Sequence, residues 1–119
     1  MTEQSSQDDL QAIIEAFGRI DAVEVDAAFA EHMASRRRRY DKHFVTLAEL
    51  QEVFNGLPRF YFNRGEQRRA PVVMVGETRA GRIIVVPIVK GAPEGTWNPI
   101  SAFEGNAHHR ERYRGYQAS

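Results

Sequence analysis

Two adjacent histidines, His108 and His109, are followed within five residues by Arg110, Arg112 and Arg114. Imidazole serves as base or acid because it titrates near neutral pH. Guanidinium groups make planar, bidentate contacts with phosphate. Together they suit a surface that grips phosphates. Neighbouring positions on a helix point about 100° apart, so the spacing predicts that at most one of the two histidines faces a site. Arg79 and Arg82 add two cations upstream. Trp97 and Tyr113 are candidates for stacking on an unpaired base, with Asn98 beside them as a hydrogen-bonding group. Trp97 suits core packing equally well, and Tyr113 suits it better.

These residues need elements to hold them. Val72–Val75 and Arg82–Val89 are branched apolar runs bounded by glycines, which predicts a hairpin. Pro87 predicts a bulge or a sheet edge within the second run. A strand is predicted over Thr96–Ala102, and a helix from Glu104 to about Tyr116. Upstream, Leu10, Ile13, Ile14 and Phe17 have helical spacing, with Gly18 as a stop. A second helix is predicted from about Val23 to Tyr40, ending in four consecutive arginines at 36–39. Thr46 and Glu49 form a capping-box pattern ahead of Leu47, Leu50, Val53 and Phe54, and Gly56 and Pro58 stop that helix. Phe60–Phe62 reads as a further strand.

At 119 residues the chain is read as one domain over 8–119, preceded by a short polar tail at 1–7 that is expected to be disordered. The absence of cysteine removes disulfides and thiolate chemistry, and the histidine spacing matches no metal-ligand pattern. The expectation is therefore chemistry with no metal and no cofactor. The longest apolar run, Ile83–Val89, is too short to cross a bilayer, and the polar, acidic start is unlike a signal peptide; a cytoplasmic protein with no membrane association is expected. Net charge is zero but unevenly placed: residues 1–31 carry eight acids and one base, and the remainder carries the balancing excess of cations. Such asymmetry fits a body that faces a polyanion, with an acidic arm able to cover it in cis.

Three segments resemble a known family. Lys42-His43-Phe44-Val45-Thr46 running on to Val53-Phe54, Gly81-Arg82 opening an apolar strand, and Ile100-Ser101-Ala102 followed by a charged helix with Arg110-Glu111-Arg112-Tyr113 are similar to segments of BrnT-type toxins, over about residues 42–114. The resemblance implies an α+β, RelE-like fold: a small antiparallel sheet of about three or four strands, with N-terminal helices and a C-terminal helix packed on it. Residues 8–40 would be a helical extension and 42–116 the BrnT-like core. It also implies a type II toxin of bacteria that cleaves RNA by attack of the 2′-hydroxyl and inhibits translation until a cognate antitoxin binds. Arg82, His109, His108 and Arg110 are then the catalytic candidates, and Trp97, Asn98, Arg79 and Tyr113 the RNA contacts. Partners would be the antitoxin and RNA or the ribosome, in a homodimer or a toxin–antitoxin hetero-oligomer. Asn98 and Phe103 stand where the family carries arginines, and its N-terminal strand pair is replaced by the acidic helices. The alternative is a catalytically inactive RelE-like domain that binds RNA, the ribosome or a partner protein.

Overall fold

The computed structural model describes residues 8–39, 45–64 and 69–118. Within them the chain forms α1 (Leu10–Phe17), β1 (Ala22–Val23), α2 (Ala27–Arg39), α3 (Leu47–Asn55), β2 (Arg59–Phe62), β3 (Val72–Glu77), β4 (Ile83–Lys90), β5 (Thr96–Pro99), β6 (Phe103–Glu104) and α4 (Ala107–Ala118). It is an α+β globule with a curled mixed sheet, ordered β1-β5-β4-β3-β2, with β6 pairing β4. The tail at 1–7, Lys42–Phe44 and the arginine side chains at 36–39 lie outside what is described.

Strong local signals produced the elements they predict. Gly18, at φ 109°, ends α1 in a conformation that only glycine adopts without strain. The Thr46 hydroxyl accepts the Glu49 amide and the Glu49 carboxylate accepts the Thr46 amide, both at 3.0 Å, so the capping box of α3 is complete. The β3–β4 hairpin closes on Thr78, whose hydroxyl accepts the Arg82 amide at 3.1 Å.

Elsewhere the sheet is larger than expected. Its order includes six strands rather than three or four, and β1 pairs with β5 in parallel. α2 consequently starts at Ala27, not Val23, and Asp26 caps it by accepting the Phe29 amide. The predicted strand over 96–102 ends at Pro99; after a bend β6 follows at Phe103–Glu104, and both lie against β4: β5 on its C-terminal half, β6 on its N-terminal half. Glu104 therefore belongs to β6, and α4 begins three residues later. Pro87 sits inside the central strand opposite Val73. Its carbonyl accepts the Ile100 amide from between β5 and β6, so its missing N–H faces the gap between those strands and breaks no ladder.

Alternation along the strands divides the core. Val72, Met74, Ile84, Val86 and Ile88 face one side with Trp97, where Ile13, Phe29, Met33, Leu50 and Val53 from α1, α2 and α3 cover them. Tyr61, Val75, Ile83 and Val85 face the other side, which receives Tyr113 of α4. Three helices thus close one face, and α4 alone leans on the second.

Candidate functional site

A groove of about 380 Å³ runs along α4 on that second face. Val73, Val75, Val85 and Pro87 form its floor, Phe103 closes one side, and Tyr61 and Phe62 of β2 with Asn63 and Arg64 just beyond it close the other. His108, His109 and Arg112 form the α4 wall. Positions 108 and 112 are one helical turn apart, as are 109 and 113, so one stripe of α4 presents all four residues toward the sheet. Both histidines consequently line the groove, where the sequence predicts one at most. They straddle its wall, ring centroids 6.0 Å apart, with His108 the more exposed.

The electrostatics are one-sided. No acid is among the described residues lining the groove, whereas two arginines and two histidines are. The Arg112 guanidinium lies over the Tyr61 ring, 3.8 Å from its centroid, and Arg64 lies 5.8 Å from the centroid of Phe62. Among the described residues no ion pair engages either arginine. Arg19, Arg82 and Arg114 are all paired.

His109 has a second task. Its Nδ1 accepts the Asn106 amide and its own amide donates to Asn106 Oδ1, both at 3.1 Å. This is a capping box for α4 with imidazole in the place of the usual carboxylate. Burial lowers its pKa first, with His108 and Arg112 adding to the effect, so the neutral form is favoured. With Nδ1 accepting, neutral His109 carries its proton on Nε2. It can donate a hydrogen bond into the groove, but it has no free lone pair with which to take a proton.

The other predicted residues are dispersed. Arg82, immediately before β4, is held by Glu49 at 2.6 Å and Glu104 at 3.3 Å, tying the start of that strand to α3 and β6. Glu49 divides its oxygens between this pair and the α3 cap. Its pKa is raised by burial but lowered by more through the Thr46 and Arg82 contacts, leaving the carboxylate favoured. Arg82 is thus ion-paired on two sides and is not among the residues lining the groove. Trp97 is fully buried and donates its indole N–H to the Arg19 carbonyl at 3.0 Å. Tyr113 is 4% exposed and donates to the Leu57 carbonyl. Neither offers a ring face for stacking. The Asn98 amide donates to the Glu24 carbonyl beyond β1. Arg79 lines a separate depression beside Glu52 and Glu77, and Arg110 is not among the groove residues.

No protein-family model, curated protein or solved structure matches this chain.

Among the described residues, none of those lining the groove comes from positions 8–39 of the acidic arm. Two acids of that arm serve the fold: Asp8 and Asp9 accept the amides of Phe60 and Phe62 along the outer edge of β2. Sequence reasoning grouped Arg112 with the phosphate-gripping cations but did not name Tyr61, Phe62, Asn63, Arg64 or Phe103 as site candidates. The available signal was Phe60-Tyr61-Phe62-Asn63-Arg64, aromatics running directly into a cation. No helix of the described residues is long and apolar enough to cross a membrane.

Proposed function

We propose that this chain is a RelE-like domain of the BrnT type whose α4 groove grips single-stranded RNA. In that setting a cognate antitoxin would cover the α4 face, and RNA or the ribosome would be the target through which translation is restrained. The observation that carries the reading is the groove itself. Arg64 and Arg112 each lie over an aromatic ring with no ion pair among the described residues, above an apolar floor and with no acid in the described lining. Aromatic and guanidinium surfaces beside cations are how single strands are held without base pairing. The resemblance over residues 42–114 supports the class, and binding without catalysis agrees with Arg82 and His109 both being committed to structural contacts.

Fluorescence anisotropy with a labelled single-stranded RNA tests it. The full chain should bind with a salt dependence that flattens by about 0.7 in log–log slope, with affinity reduced, when Arg64 and Arg112 are both changed to Ala, given about 0.7 per phosphate contact and one such contact, from Arg64. Unchanged affinity and slope in the double variant would refute the groove as the RNA site.

One observation favours a cleaving toxin as a second reading. Among the described residues no hydrogen bond engages the His108 imidazole, which lines the groove one turn from Arg112. Cleavage would then depend on His108 rather than His109. Induction in bacteria should arrest growth and fragment RNA, His108→Ala should abolish both, and His109→Gln should retain them. Intact RNA on induction of the unaltered chain removes this reading and leaves the binder.

A further inference from the structure

Resting on the RNA reading, we propose that the α4 groove is a pocket for one unpaired nucleotide. Its base would lie against the Arg112–Tyr61 stack and Phe103, and its phosphate would meet Arg64. The groove's volume of about 380 Å³ falls at the lower end of the range of about 300–1,000 Å³ for small-molecule sites. It has room for a nucleotide and none for a duplex, whose bases are already stacked and whose backbone would have to cross an apolar floor. Tyr61 is itself buried beneath Arg112, so the planar surface available to a base is the guanidinium, held in place by the ring under it. Phe103 completes the apolar side, its ring edge-on to His109 at 6.4 Å between centroids.

His109 adds selectivity. The α4 cap holds it as an Nε2 donor, so together with Arg112 the wall offers donors, and acceptor atoms on a base edge match it. Arg64, just beyond the far end of β2 and without an ion pair among the described residues, supplies the charge that a nucleobase alone does not need and a nucleotide does.

The experiment uses the full chain with adenosine 5′-monophosphate, uridine 5′-monophosphate, inorganic phosphate and the labelled single-stranded RNA. Expected are amide chemical-shift changes at Tyr61, Phe103, His109 and Arg112 on adding either nucleotide, and displacement of the RNA by it. Phosphate at the same concentration should displace none. Arg112→Lys keeps the charge and loses the plane, so nucleotide affinity should fall roughly tenfold. Phe103→Leu is the second variant, and the emission of buried Trp97 verifies that each has folded. RNA binding without nucleotide-induced shifts in the groove overturns the pocket and spares the RNA reading. Nucleotide shifts in the groove with no RNA binding overturn the RNA reading and leave the pocket standing. Shifts caused equally by phosphate alone overturn the base-recognition part of the proposal.

Discussion

Arg82 shows how a side chain's partners decide its role. The sequence marks it as a phosphate contact, and its resemblance to a family position strengthens that expectation. In the fold, Glu49 and Glu104 occupy its guanidinium, and one of those carboxylates also caps α3. Neither partner is near it in sequence, so no local pattern announces the pair. Arg82→Ala should cost about 1.5–3 kcal/mol, read as a lower urea midpoint, because it leaves partly buried carboxylates without their cation. The pH dependence has a definite sign. The Glu49 pKa is lowered in the folded state, so its contribution is complete above the ordinary carboxylate range and is lost as pH falls through the lowered value. Arg82→Ala should therefore lose less stability on acidification than the unaltered chain does. An identical acid limb in both would show that the pair contributes nothing.

Among the elements, α4 is the one whose cap and groove wall share a residue, His109. Asn106 and His109 cap it reciprocally, and Gly105 lets it approach β4 closely: a Cβ there would lie 2.9 Å from that of His109 and 3.1 Å from Ile83 Cγ2. Because the folded His109 pKa is lowered, its stabilisation is present above the ordinary imidazole range and is lost as pH falls through the lowered value. His109→Gln keeps an acceptor for the Asn106 amide and does not titrate. Its unfolding midpoint should fall less than that of the unaltered chain between pH 8 and pH 5. His109→Ala should lose on the order of 1 kcal/mol at pH 8, the usual size of a cap. Equal pH profiles for the His109→Gln variant and the unaltered chain would exclude the imidazole cap as a titrating contact. The capping box of α3 was legible because Thr46 and Glu49 are its two standard residues. The α4 box was not, because histidine at that position is an uncommon acceptor and because Glu104 suggested an earlier start to the helix.

For the whole molecule, the N-terminal helices belong to the core. Ile13, Phe29 and Met33 are buried with the sheet, Phe17 packs edge-on against Trp97, and Trp97 donates to the Arg19 carbonyl. Each fully buried apolar side chain contributes about 1.5–3 kcal/mol, against a total stability of about 5–15 kcal/mol for a domain. Deleting residues 1–40 should therefore abolish the cooperative thermal transition seen by circular dichroism and shift Trp97 emission to that of solvated indole. A folded fragment with higher RNA affinity would instead support the acidic arm as a cover. The sequence by itself determined the α+β class, the hairpin, the α3 cap and the glycine stops, because each is encoded within a few residues by backbone sterics, hydrogen-bonding side chains or apolar alternation. Only the tertiary structure decided that Ala22–Val23 is a strand, since its partner lies at Thr96–Trp97. It alone gathered Arg64, Phe103 and Arg112 into one groove while burying Trp97 and pairing Arg82. Which face a strand residue takes, and which charge finds a partner, are settled by contacts between segments distant in the chain.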